Sequence, residues 1–174
     1  MKLYRLVLSD LHLGTGIRRG QLNPLEDFFH DDRFVELLAH YDEVASAADG
    51  CVELILNGDI FDLLKVKIAN EWPTEVTEEI AVAKLQQCLD GHPKFVQALK
   101  EFLQKPSNRI TYLPGNHDLD MWFPAAQELF SRYLAPGDAA ERVRFVTSSD
   151  TYYLPEGIQI RHCLLYTSPS PRDS

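Results

Sequence analysis

The chain has no surplus of positive charge to offer a polyanion. Its 174 residues carry 17 Lys and Arg against 26 Asp and Glu, a formal net charge of -9. That balance argues against broad, sequence-independent nucleic-acid binding, which needs a basic face. It does not exclude a phosphate substrate, because bound divalent metals reverse the sign of a local site. Cysteine is also scarce: Cys51, Cys88 and Cys163 are odd in number and widely spaced. With no CxxC and no disulfide framework, the usage suits a reducing compartment. No apolar run reaches transmembrane length, and no signal-peptide core precedes the opening "MKLYRLVLSD". The expectation is a soluble, cytoplasmic protein without a membrane span. No internal repeat is visible.

What is present is an alternation of apolar runs and helical periods. Leu3 to Leu8 reads as a strand, followed by a loop with Gly14, Gly16 and Gly20. Asn23-Pro24 reads as an N-cap with proline at the first helical position. Phe34, Val35, Leu37, Leu38 and Tyr41 then recur at helical spacing. "CVELILNGD" is a buried-strand run closed by a turn. A helical pattern covers about 65–105, and "RITYLPGNHD" is a further strand and turn. After the helix "AAQELFSRYL" come "RVRFVT", "TYYLP" and "GIQIRH", three short strand-like runs. Strands separated by long crossovers predict a parallel α/β sheet, with a mixed or antiparallel portion after it.

The polar residues fall at the ends of the apolar runs. The first run leads into Asp10-Leu11-His12, the second into "NGDIFD" with Asp59 and Asp62, and the third into "GNHD" with Asn116, His117 and Asp118. The last ends at His162. In open α/β sheets, ligands bind outside the carboxyl ends of the strands, so these segments deliver Asp, Asn and His to one edge. Asp10 and His12, two apart, point the same way in an extended segment. Gly58 and Gly115 permit tight turns and close backbone approach. A set of hard oxygens and imidazole nitrogens suits Mn, Fe or Zn better than a thiolate or an all-oxygen calcium site. Taken singly, Asp-x-His reads as a capped loop and "NGD" as a turn; the ordered conjunction is what points to a metal centre.

Other candidates are weaker. His30, His40 and His92 lie in helical or linker contexts and read as surface or satisfied core histidines. Trp122-Phe123 reads as core packing before substrate contact. Arg18 and Arg19 read as a solvated loop pair, with phosphate contact as the alternative.

"DLH", "GDIFD" and "GNHD", in that order over residues 10 to 118, resemble the signature blocks of the calcineurin-like metallophosphoesterases. The resemblance implies an αββα sandwich with a dinuclear centre at the strand ends. It implies a hydrolase acting on a phosphate mono- or diester or pyrophosphate bond by attack of a metal-bridging hydroxide. Two divalent ions are implied, Mn first, with Fe or Zn as alternatives. Asp10 and His12 would hold one metal, Asp59 would bridge both, and Asn116 would hold the second. His117 would be the catalytic histidine, oriented by a catalytic Asp118, with Asp62 supporting the ligands. His162 fits the later metal-binding histidine. A nuclease of the same family and a catalytically impaired scaffold are the competing readings. The first lacks a basic stripe, and intact His117 and Asp118 speak against the second.

The family's final GHxH block has no counterpart here, since no histidine follows His162. "CLLYTSPSPRDS" resembles translated sequencing-adapter read-through. The expectation is therefore a metallophosphoesterase domain over 1–162, C-terminally truncated, with a helical insertion at about 65–105 and an incomplete second sheet. Residues 163–174 would be a non-native or disordered tail. The truncated chain is expected to be weakly active or inactive.

Overall fold

A computed structural model describes residues 1–16, 23–135, 137–149 and 151–162. Strand β1 (Lys2–Leu8), helix α1 (Asp31–Ala47) and strand β2 (Gly50–Asn57) open the fold. Helices α2 (Glu78–Gly91) and α3 (Pro93–Gln104) lead to β3 (Arg109–Leu113), and helix α4 (Pro124–Leu134) leads to β4 (Val143–Phe145). Short strands β5 (Thr151–Tyr153) and β6 (Gln159–Arg161) follow. The first four strands form one parallel sheet in the order β1-β2-β3-β4, and β5 and β6 pair antiparallel in a separate two-stranded sheet.

Side-chain alternation along the central strands separates two cores. Leu54, Leu56, Ile110 and Tyr112 face the helices and join Phe34, Phe61, Phe95, Leu99 and Phe130 in the main core. Tyr112 holds the centre of it, with its ring 5.5 Å from Phe130 and stacked on Phe61 at 6.5 Å. Ile55 and Leu113 face the other way and pack with Leu154 and Ile160 from the β5–β6 hairpin. The observed layers are thus helix, parallel sheet, antiparallel sheet. This is the mixed α/β arrangement expected of a metallophosphoesterase fold.

A buried carboxylate pins the hairpin to the sheet. Glu53, fully buried on the hairpin side, accepts hydrogen bonds from Arg5, Arg109 and Thr111, each at 2.9 Å. Tyr152 of β5 donates a further one at 3.0 Å. Burial alone would push this carboxyl up, but Arg109, Thr111, Arg5 and Tyr152 together hold it at about 2.

Three local expectations change. Asn23-Pro24 opens a turn and not a helix: Asn23 Oδ1 accepts from the Leu25 N–H at 3.1 Å, and α1 begins only at Asp31. The first of the three late strands, β4, joins the parallel sheet beside β3. Within 65–105, residues 66–77 are irregular between the turn Leu63–Lys65 and α2. Both α2 and α3 contribute to the main core through Leu85, Leu89, Phe95 and Leu99. Arg18 and Arg19 and the segment 163–174 lie outside the described residues. Among the described residues no helix is long and apolar enough to cross a membrane.

The loop after β1 is held by a second buried carboxylate. Glu26 accepts the N–H groups of Gly14, Gly16 and Phe28 at 3.0, 2.6 and 3.1 Å. His92, at the α2–α3 junction, places Nε2 3.3 Å from Glu26 and Nδ1 3.2 Å from Asp31. Gly16 and Gly91 meet there so closely that a Cβ on Gly16 would sit 2.1 Å from the Gly91 carbonyl oxygen. Burial pushes the imidazolium down and the carboxyl up. Asp31 and Glu26 nevertheless hold His92 at about 9, while His92 and the three N–H groups hold Glu26 at about 2.

The raised His92 value contributes stability in full below about 6.5, lost as pH rises through about 9. The lowered Glu26 value contributes above about 4.5 and is lost as pH falls towards about 2. Urea unfolding from pH 4 to 10 should therefore show the native protein losing stability between pH 6.5 and 9 relative to His92→Gln. At pH 6 the variant should be less stable by about 3 kcal/mol, as expected when a buried pair loses one partner. Parallel stability curves across this range would show that His92 is uncharged in the fold.

Candidate metal centre

The strands end in loops that are laced together by their backbones. Asp10 N–H donates to Gly58 O at 3.1 Å, His12 N–H to Asp59 O at 2.9 Å and Leu13 N–H to Ile60 O at 2.9 Å. The chain returns through Asp62 N–H to Leu13 O at 2.9 Å, and Leu63 N–H reaches His117 O at 3.1 Å. This ladder continues the β1–β2 pairing past the strands and draws in the turn after β3. It does so with left-handed backbone at Asp10 (φ 56°), His12 (φ 54°) and Asp59 (φ 53°). Such a conformation costs roughly 1–2 kcal/mol per residue outside glycine, and its clustering here marks a built site.

The left-handed turns correct the extended reading of Asp10 and His12. Donor atoms of His12, Asp59 and His117 lie within 4.8 Å of one another, as do those of Asp10, Asp59 and His162. Asp59 belongs to both groups. Its Oδ2 lies 3.2 Å from His162 Nε2 and 3.9 Å from His12 Nε2, while Oδ1 accepts the His117 N–H at 2.8 Å. Asn116 sits half-buried on the turn between Gly115 and His117.

Glycines make the closeness possible. A Cβ on Gly58 (φ 74°) would lie 2.2 Å from the His162 ring, and one on Gly115 would lie 2.2 Å from Asp59 Oδ1. Any side chain at either position would displace a donor of the group.

His117 and Asp118 divide their work differently from the sequence expectation. Asp118 does not orient His117. Its fully buried carboxylate turns inward, accepting from Tyr112 OH at 2.5 Å, Gly115 N–H at 2.5 Å and Ile60 N–H at 3.0 Å. Burial raises its carboxyl above the usual range, only partly opposed by these donors. Asp118 therefore clamps the "GNHD" turn to the residue after Asp59 and to β3. The partner of His117 is Asp62, whose Oδ1 lies 3.1 Å from His117 Nδ1. Adjacent residues on a tight turn diverge, and Tyr112 supplies an inward donor for Asp118. The alternation of β3, with Tyr112 on the helix side, carried that signal in the sequence.

Elsewhere the expectations separate. His30 and His40 are exposed, whereas His92 is buried in its carboxylate pair. Phe123 packs against the main core, but Trp122 is exposed. The roles of Glu26 and Lys65 went unread, since neither stands in a motif and each acts on a distant segment.

The donor set fits divalent cations: carboxylate oxygens and imidazole nitrogens converge on a shared carboxylate, with no thiolate among them. A family model for calcineurin-like phosphoesterases matches residues 4–168. No curated protein and no solved structure matches the chain. The family comprises metal-dependent phosphoesterases, which bind divalent metals. With the match running over nearly its whole length and the Asp, His and Asn blocks gathered at one sheet edge, the chain belongs to the calcineurin-like phosphoesterase family.

Proposed function

We propose that the chain is a dinuclear metallohydrolase of phosphate esters, with Asp59 as the shared ligand. The observation that carries this reading is that Asp59 has donor atoms within 4.8 Å of His12 on one side and of Asp10 and His162 on the other. His12 would complete one site, and Asp10 and His162 the other. Asn116 would add its amide oxygen. Bound divalent ions, Mn first, supply the Lewis acidity that activates water and neutralises charge on the phosphoryl oxygens.

The chain's own residues do the remaining work. The His117 N–H holds one Asp59 oxygen in place, leaving the other to face His12 and His162. His117 keeps Nδ1 on Asp62, so Nε2 is its free nitrogen. A proton on Nε2 passes to the leaving oxygen of the ester, and the Asp62 carboxylate stabilises the imidazolium that carries it. About a third of the His117 side chain is exposed, so substrate can reach it. Asp118 acts only through the turn it clamps. The ester class follows from the site; the identity of the alcohol depends on the surrounding loops.

Two measurements test this. Manganese binding by titration calorimetry should give two sites in the native protein and neither in Asp59→Asn, with one retained in His12→Gln. Native protein at about 100 times the dissociation constant should gain about 2.7 kcal/mol of stability per site. A single ion bound, or Asp59→Asn binding like the native chain, would remove the dinuclear reading. Separately, Mn²⁺-dependent hydrolysis of bis-p-nitrophenyl phosphate and p-nitrophenyl phosphate should fall in His117→Ala by about 10²–10⁴-fold in kcat. Both metals should stay bound in that variant. Loss of a metal with the activity would make His117 a ligand and not the proton donor, and the preferred substrate separates diesterase from monoesterase.

A further inference from the structure

Asp62 is the carboxylate on which both site imidazoles turn their backs. Its Oδ1 lies 3.1 Å from His117 Nδ1, and its Oδ2 lies 3.7 Å from His12 Nδ1. The His12 nitrogen is buried and makes no hydrogen bond. The two rings meet edge to face, 4.7 Å between centroids. An ionised carboxylate only accepts, so the His117 ring holds a proton on Nδ1 and turns Nε2 to the site.

Such a carboxylate, with its side chain 1% exposed, is costly without a cation. Lys65, in the 3-10 turn Leu63–Lys65, places Nζ 2.9 Å from Asp62 Oδ2. It is the one lysine or arginine paired with Asp62 among the described residues. The contact is an ion pair and not an aligned hydrogen bond, since Oδ2 accepts none. Burial pushes the Asp62 carboxyl up, and Lys65 and His117 outweigh it to hold it below its ordinary range. Lys65 also pairs with Asp27 in the loop after β1, but Asp27 is exposed and does not touch the imidazoles.

We propose that Lys65 is a positioning residue: by neutralising the buried Asp62 carboxylate, it holds that group as the acceptor for His117 Nδ1, so that His117 presents Nε2 to the site. The catalytic consequence rests on the phosphoesterase reading; the tautomer consequence does not. Lys65 acts through Asp62.

The test is a long-range ¹H–¹⁵N correlation spectrum of ¹⁵N-histidine-labelled, metal-free protein at pH 8.5. It compares the native chain with Lys65→Met, Lys65→Arg and Asp27→Asn. The native chain, Lys65→Arg and Asp27→Asn should show His117 as a single Nδ1–H tautomer, whereas Lys65→Met should show averaged Nδ1 and Nε2 shifts for it. Turnover of bis-p-nitrophenyl phosphate at saturating Mn²⁺ should fall about 10-fold in kcat for Lys65→Met, as for other outer residues that orient a side chain of a metal site. KM should stay within about twofold, and Asp62→Asn should make the further Lys65→Met change silent. Unchanged tautomers in Lys65→Met would overturn the proposal, as would an equal change in Asp27→Asn, which would make Lys65 a loop tether. Absence of turnover in the native chain, as expected for one without a GHxH block, would leave the tautomer comparison to decide the role of Lys65.

Discussion

Everything at the sheet edge depends on how the two oxygens of Asp59 are used. One is held by the His117 N–H, and the other faces the imidazoles of His12 and His162. A carboxylate free to rotate would present either oxygen to either histidine. Fixing Oδ1 from the turn after β3 removes that freedom and leaves Oδ2 facing the other donors. The turn that does the fixing is itself held by Asp118, whose oxygens reach Gly115 and Ile60 N–H. The chain thus uses one acid to hold the loop that orients another.

The left-handed backbone at Asp10, His12 and Asp59 is the structural cost of gathering donors so closely. The ladder running from Asp10 N–H through Leu13 N–H to Asp62 N–H supplies the compensating bonds. Each rung satisfies a backbone group that would otherwise lie unpaired beside a polar site. The same segments bury Leu13, Ile60, Phe61 and Leu63 completely, so the loops carry core as well as chemistry. Rigidity at the site comes from this packing. Strain of this kind persists only where the surroundings over-determine the conformation.

Much of this was legible before any coordinates. β1, β2 and β3 follow from short apolar runs, and the residues at their ends from the "DLH", "GDIFD" and "GNHD" blocks. Illegible was the direction in which neighbouring side chains leave a tight turn. His117 and Asp118 stand side by side in sequence, yet one faces the cluster and the other faces Tyr112. Spacing rules assume a regular backbone, and the left-handed residues break that assumption at Asp10 and His12. The Asn23-Pro24 reading failed for a related reason. Asparagine serves an Asx turn and a helix N-cap with the same side-chain oxygen, and only the following residues' packing decides between them.

The acidity of the chain also changes meaning once the fold is known. As a net charge of -9 it argued only against a broad nucleic-acid-binding face. Glu26, Glu53, Asp59, Asp62 and Asp118 are all buried, and in each case the charge or hydrogen-bonding capacity is spent on a distant segment. Glu53 ties the hairpin to the sheet, Glu26 ties the loop after β1 to the α2–α3 junction, and Asp118 ties the turn after β3 to β2's loop. A carboxylate suits these tasks because its two oxygens accept several donors at once, so it can join more than two segments. Burial makes each junction specific, since a buried acid with a missing donor is far costlier than an exposed one. The candidate metal centre is therefore the last of several junctions built on the same principle. It differs in one respect: the second Asp59 oxygen faces the imidazoles of His12 and His162 and not a backbone donor.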